Sequence, residues 1–539
     1  MTDPLSEADF LVIGSGSAAL SAALRAAEAG LSVTVLEKTK WLGGTSAMSG
    51  AGIWIPANHV ARAEGVEDSP EEALSYLRAS APDGWQTEED ALWAAFAGAA
   101  PRALQFIDRN TPLEFVVTHE PDPFSEYPGG KAYGRQLSVR PLSRRLLGPW
   151  AARLRRSTQA HLFSYTEMIT MDPYHHPFRV GFRMLPTLVY RWLTGTRGQG
   201  NALMTGLIRG CLDLGVRFSI ETPARALVQD DTGRVVGVEI EQGGQRRNLR
   251  ARRGVLLATG GFEWDVDMQE RHFPGGVTYL GSPATNTGDG QKMARAAGAA
   301  LARLDQANVY PCLPTIYHGR QTGLPMTFNT ERHAILVNRH GQRFVSENDF
   351  NIGERLDERD PDTGEPVHLP VWLVGDRRFF ARSLPFRWYA RRDKSFVTRA
   401  ETLRELAEKV GLPPANLEAS VERFNGFCRA GTDLDFARGD TIWDRYKAKD
   451  PATKLTDVTR PPFYAVKLGR SLLGTKGGAR TNENAQVLRP DGSVIPGLYA
   501  AGLAMANPIG TRAIGAGTTL GPNLTWGFVA AENLLTQNS

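Results

Sequence analysis

Cysteine is scarce in this chain. Its 539 residues hold three, Cys211, Cys312 and Cys428, far apart and with no C-x-x-C pair, which argues against a disulfide framework, a zinc site or an iron–sulfur cluster. No apolar run reaches the roughly 18 residues that a membrane-spanning helix needs. Neither sign of charge dominates: 62 lysines and arginines stand against 58 aspartates and glutamates. No long basic run alternates with aromatics, so nucleic acid is a poor fit as a partner. His175-His176 has no carboxylate or cysteine at ligand spacing, and no metal site is expected. The opening MTDPLSEADF carries no basic segment followed by an apolar one, and a soluble cytoplasmic protein is the reading. The length exceeds one ordinary core, so at least two domains are expected.

Small residues are abundant near the start. Asp9 to Glu37 reads DFLVIGSGSAALSAALRAAEAGLSVTVLE: an apolar strand, a Gly14-x-Gly16-x-x-Ala19 turn, an alanine-rich helix closed by Gly30, a second apolar strand and an acid. Gly14 permits the sharp turn, Gly16 lets backbone approach a pyrophosphate, and Ala19 lets helix and strand pack closely. The helix N-terminus offers free N–H groups and a favourable dipole to an anion. Glu37 suits unphosphorylated ribose hydroxyls, which disfavours NADP. The pattern predicts an α/β, Rossmann-like dinucleotide-binding domain. KTKWLGGTSAMSGAGIWIP follows, and its Lys38, Gly43, Gly44, Thr45, Ser46, Gly50 and Gly52 suit a path along a dinucleotide toward a flavin ring.

These motifs resemble the FAD-dependent fumarate reductase and succinate dehydrogenase flavoprotein superfamily, and within it the 3-ketosteroid dehydrogenase branch, with its GGT/S…SGGGIW-P segment. The C-terminal stretch is similar too, with GTKGG at 474–478, a DG-x-x-IPG-LYAAG run at 491–502 and GAGTTLGP at 515–522. The resemblance implies FAD, and the lack of a histidine between Gly43 and Pro56 implies that it is held non-covalently. It adds Thr259, Gly260, Gly502, Thr519 and Leu520 to the cofactor-binding set. It also implies an α+β capping domain inserted into a discontinuous FAD-binding domain. The first part of that domain spans 1–274, with a helical insert at about 80–205; the cap spans 275–450, and the second part 451–539. RRGVLLATGGF reads as the return to the FAD domain, and Arg343-Phe344 with Glu347 resembles the superfamily's capping element.

The chain departs from the ketosteroid pattern where that family keeps tyrosines. Phe124, Phe350 and Ala513 stand at or near those places, while the backbone donor, Gly517, survives. A phenyl ring exchanges no proton, so acid–base work must come from another phenol. Tyr190, Tyr464 and Tyr127 are the candidates, with Tyr190 favoured over Tyr464 because it lies in the divergent stretch. The expected reaction introduces a carbon–carbon double bond α,β to a ketone, in a small ring such as cyclohexanone or in a 3-ketosteroid. An external electron acceptor, a quinone or a redox protein, is expected. The basic stretch 120–200 is read as a helical flap, with peripheral membrane contact as one option and a solvated basic face as the other. Two further readings stand: a fumarate-reductase-like enzyme with Arg512 and His318 or His333 as a carboxylate clamp, and the flavin subunit of an electron-transfer complex.

Overall fold

The computed structural model describes residues 6–326 and 328–537. The first strand, Glu7–Ile13, lies between the parallel strands Val33–Leu36 and Gln245–Leu257. Arg217–Ser219 extends one side and Val494–Ala500 the other, also in parallel. Strands of this kind are covered on both faces, which is why they read as continuous apolar runs in the sequence. The late strand Val494–Ala500 therefore completes a sheet begun nearly five hundred residues earlier. The turn Asp230–Gly233 joins Ala224–Gln229 to Val235–Gln242, a hairpin that pairs antiparallel with Gln245–Leu257.

Two helices cross on this sheet. Ser17–Glu28 is almost wholly buried through its alanines, and the terminal helix Leu520–Thr536 packs on it so closely that a Cβ at Gly527 would run into the Ala18 carbonyl. Ser21 Oγ donates to Leu524 O at 2.6 Å, and Arg25 pairs with Glu532 at 2.7 Å. The two chain ends thus share one core.

A second body carries an antiparallel four-stranded sheet ordered Ala334–Val337, Val371–Gly375, Phe463–Leu468, Val397–Ala400. One of its two middle strands, Phe463–Leu468, lies beyond residue 450. The side chains of Arg343 and Glu347 are buried here: Glu347 accepts from Arg343 at 2.9 Å and Arg438 at 2.8 Å, and Asp433 faces Arg343 at 2.8 Å. These cations hold the Glu347 carboxyl at about 2 despite burial. The element is a structural brace.

Within 69–110, Ser69 caps the helix Pro70–Ser80 by accepting from Glu72 N at 3.2 Å, and Gln86–Asn110 follows. The stretch 120–200, read as a helical flap, holds the short strands Gln136–Val139 and Leu142–Ser143 and the 3₁₀ segment Arg144–Arg153 before its two helices, Tyr165–Met171 and Pro177–Thr194.

Candidate active site

A groove opens where the first strand ends. It is lined by Gly14, Gly16, Glu37, Lys38, Gly44, Thr45 and Ser46 from the N-terminal motifs, and by Thr259, Gly260 and Gly502 from later ones. Gly14 has φ +106°, and a Cβ there would meet the Ala258 carbonyl, so only glycine fits. The N-cap of the helix Ser17–Glu28 is Gly16, which has no side chain to offer; Ser46 Oγ accepts from Ser17 N at 3.1 Å, and no acid occupies the first turn. The positive end of the helix faces the groove. Glu37 is buried and accepts from Ser15 Oγ at 2.6 Å and Thr39 N at 2.9 Å. Lys38 pairs with Asp289 at 2.7 Å.

Four other candidates serve the groove from behind or lie off it. Ala19 points into the core, and Gly43 sits against Ala47 and Met204. Gly50 and Gly52 abut the ring of Tyr165, with a Cβ at Gly52 reaching it at 3.2 Å. The segment from Gly44 to Gly52 thus runs from the groove to a second cavity, and Thr519 lines that cavity while Leu520 is buried beside it.

Sequence reasoning missed Asn286, Asn523 and Arg155 in the groove. Asn286 Nδ2 donates to Thr45 Oγ1 at 2.9 Å and Glu263 Oε1 at 2.7 Å. Arg155 is buried, and its Nε has no hydrogen-bond partner among the described residues. Its Nη2 donates to Thr39 Oγ1 at 3.3 Å, and it has no acidic partner among the described residues. A buried guanidinium without a counter-charge beside a helix N-terminus fits an anionic dinucleotide such as FAD.

The second cavity, of about 300 Å³, is lined by Glu120, Tyr165, Tyr310, Phe350, Lys447 and Lys476 and by the loop Gly515–Thr519. Gly517 has φ +94°, and a Cβ there would strike the Gly52 carbonyl. Its own N–H makes no hydrogen bond among the described residues. Neighbouring contacts fix this loop. Asn351 clamps Ala513 through both its amide atoms, at 3.0 and 2.7 Å, and Tyr76 donates to Ile514 O at 2.9 Å. Gly515 rests on Trp54, whose Nε1 donates to Asp122 at 2.8 Å.

Tyr165 donates to Glu120 Oε2 at 2.7 Å. Burial pushes the Glu120 carboxyl above its ordinary value, against the lowering pull of the Tyr165 hydrogen bond and the Lys447 charge. Burial and the Glu120 charge hold the Tyr165 hydroxyl protonated well above the usual phenol range, and burial does the same to Tyr310. Burial lowers the Lys476 ammonium to about 8, and its Nζ donates to Gly510 O.

The three tyrosines favoured from sequence do not line this cavity. Tyr190 is 63% exposed on the outer face of Pro177–Thr194, and Tyr127 is 45% exposed, stacked on Phe124. Tyr464 is buried in the four-stranded sheet and stacks on Phe380 at 4.2 Å between ring centroids. Of the four catalytic candidates, Gly517 alone lines this cavity. The phenols actually present, Tyr165 and Tyr310, come from segments with no local motif.

The reductase clamp does not assemble either. Arg512 is held bidentate by Glu354, at 2.7 to 3.1 Å. His318 is exposed and stacks on Trp41, and His333 Nδ1 bonds to Asp457 O at 2.9 Å.

Residues 9–520 match the model of the FAD binding domain family. The chain belongs to that family. It binds FAD, and the helix N-terminus, Arg155 and the glycine turn are where the cofactor fits. The chain is 35% identical to a 3-oxosteroid 1-dehydrogenase of Mycobacterium tuberculosis, over 98% of this chain and 99% of that one. It is also 35% identical to a 4-oxocyclohexanecarboxylate 2-dehydrogenase of Sinomonas cyclohexanicum, over 99% and 94%. Among solved structures, a 3-ketosteroid Δ1-dehydrogenase from Sterolibacterium denitrificans in complex with 1,4-androstadiene-3,17-dione superposes with a TM-score of 0.88, at 32% identity over 98% of this chain. A flavocytochrome c3 fumarate reductase, at 22% identity and a TM-score of 0.63, shares the fold. No helix among the described residues is long and apolar enough to cross a membrane.

Proposed function

We propose that this protein is an FAD-dependent ketone desaturase that introduces a double bond α,β to the carbonyl of a cyclic ketone, with Tyr165 and Glu120 as its proton-accepting pair. In this reading the FAD-binding part comprises residues 1–274 and 451–539, and residues 275–450 close over the cavity together with the strand Phe463–Leu468. FAD, when bound, supplies the two-electron acceptor for the hydrogen that leaves the β-carbon.

The protein's own residues do the rest. The free N–H of Gly517 donates to the ketone oxygen, which gains negative charge as the α-proton leaves. Tyr310, kept protonated by burial, supplies a second donor in the same cavity. Tyr165 takes the α-proton on its hydroxyl oxygen while passing its own proton to Glu120. This relay suits the electrostatics: a lone phenolate beside Glu120 is disfavoured, whereas a carboxyl raised by burial is a better proton acceptor. Tyr310 makes no hydrogen bond to a carboxylate among the described residues, which is why the base role goes to Tyr165. The 2.7 Å Tyr165–Glu120 hydrogen bond, in one cavity with the unpaired Gly517 N–H, carries the assignment.

The test is oxygen-free, single-turnover flavin reduction of Tyr165→Phe, Glu120→Gln and Tyr310→Phe, with cyclohexanone and with a 3-ketosteroid. Loss of the base should slow reduction by about 10²–10⁴-fold. Parent-like rates in all three variants would refute the residue assignment. If neither ketone bleached the parent while fumarate reoxidised its reduced form, the reductase reading would take over.

A further inference from the structure

The helix Pro177–Thr194 turns its apolar side outward. Phe178 is 85% exposed, Phe182 87% and Trp192 67%, and Leu185, Val189 and Leu193 are exposed beside them. At the α-helical period these six fall within an arc of about 100°. Its buried contacts, Val180 and Arg191, lie on the other side. Scattered exposed hydrophobes are ordinary, but a contiguous aromatic stripe along one helix is an interaction surface.

The charge around the stripe points to what covers it. Between Tyr127 and Leu212 there are thirteen lysines and arginines and two acids, Glu167 and Asp172; Lys131, Arg135, Arg140, Arg191 and Arg209 are paired with acids, and the other eight cations make no ion pair among the described residues. Both acids are already engaged, Glu167 with Arg191 and Asp172 with His175, each at 2.8 Å. Arg179 and Arg183 flank the stripe on the side of Tyr190, are exposed, and make no ion pair among the described residues. Burial first, and then the charges of neighbouring arginines, lower the proton affinity of Arg144 and Arg197, and the buried Nε of Arg144 has no partner among the described residues. The turn that carries Arg144 and Arg145 also exposes Leu146, and it is tied to the helix by Arg145 to Leu193 O at 2.7 Å and Ser143 to Thr194 O at 2.8 Å.

We infer that Pro177–Thr194 is a monotopic anchor that lies in the interface of an anionic lipid bilayer, with Phe178, Phe182, Leu185, Val189, Trp192 and Leu193 among the acyl chains and Arg179, Arg183 and Tyr190 at the headgroups. An apolar stripe edged by arginine and tyrosine, with no acid on the helix, is the composition of a helix that lies in a membrane interface. A water-facing or protein-facing helix does not need uncompensated cations along the rim of its apolar face. The helix has 18 residues with Pro186 inside and is not apolar enough to span, so it lies on the surface. The position of Tyr190 is explained as well: its ring is interfacial, where aromatic residues with one polar end concentrate.

The test uses the full-length, FAD-loaded enzyme in flotation with phosphatidylcholine vesicles, with and without about one third phosphatidylglycerol. The parent should float with the anionic vesicles and be released by salt. Arg179→Ser and Arg183→Ser should each weaken partition roughly fivefold. Phe178→Ser combined with Phe182→Ser should weaken it at least about tenfold. Retained flavin absorbance in each variant shows that the fold persists, since all four side chains are exposed. Absence of parent binding to anionic vesicles would overturn the proposal, as would equal binding to pure phosphatidylcholine. Light scattering of the lipid-free protein supplies the remaining arm. A dimer abolished by the phenylalanine substitutions, without vesicle binding, would identify a second copy as the occupant and overturn the membrane assignment.

Discussion

His175 ties the helical insert to the capping body, and its titration should be visible in stability. Its Nδ1 faces Asp172 at 2.8 Å and its Nε2 faces Glu331 at 3.1 Å. These two carboxylates, Asp172 first, raise the imidazole from 6.5 to about 9. A folded-state value above the unfolded one means that the stabilising contribution is complete below pH 6.5 and is lost as the pH rises through 9. The shift corresponds to at most about 3 kcal/mol. Because the side chain is 31% exposed, screening reduces this to about 1–2 kcal/mol. Asp172, lowered to about 2 by His175 against the effect of burial, does not titrate in this window. His175→Gln should therefore lower the thermal midpoint by roughly 1–2 °C at pH 6, and the gap should close above pH 9. Following flavin fluorescence on heating, for both proteins from pH 6 to 10, isolates the histidine because other titrating groups cancel in the difference. A gap that stays flat or widens with pH would refute the reasoning.

Acid or heat precipitation should leave the yellow chromophore in the supernatant, since no histidine stands between Gly43 and Pro56 to tether it; colour in the pellet would contradict this. Gly14→Ala should yield protein without flavin absorbance, because its Cβ collides with the Ala258 carbonyl at a left-handed φ. Gly16→Val should do the same by filling the pyrophosphate position, and a normal ratio of flavin to protein absorbance in either variant would count against the groove assignment. Tyr165→Phe with Glu120→Gln should slow flavin reduction little more than either change alone, since the two act as one relay; additive losses would separate them. As pH falls, the reduction rate should drop once Glu120 protonates, at a pH above the ordinary carboxylate range. A rate that falls only at or below the ordinary carboxylate value would argue against Glu120 as the final proton acceptor.

The nucleotide-binding half was legible in the sequence because its determinants are local. A glycine required by φ at Gly14, an alanine-rich helix opened by a glycine and Glu37 at a strand end each state a backbone or charge requirement within one short stretch. The Gly517 loop was legible through its resemblance to the ketosteroid dehydrogenase ending, and the structure adds the reason that glycine is needed there, a φ of +94° with no room for a Cβ. The proton-transfer pair was not. Tyr165 and Glu120 are 45 residues apart on segments without periodicity or motif, and only packing against Gly50 and Gly52 turns that ring into the cavity. Tyr190 looked equally suitable in the sequence, yet it stands on the outside of the next helix. Arg512 looked free until Glu354, 158 residues away, was found to neutralise it. Sequence alone determined where backbone must bend and an anion can rest, because those are properties of neighbouring residues. Which side chains meet, which cation stays unpaired and which aromatic face remains uncovered were decided by the tertiary structure, because each depends on partners that only folding brings together.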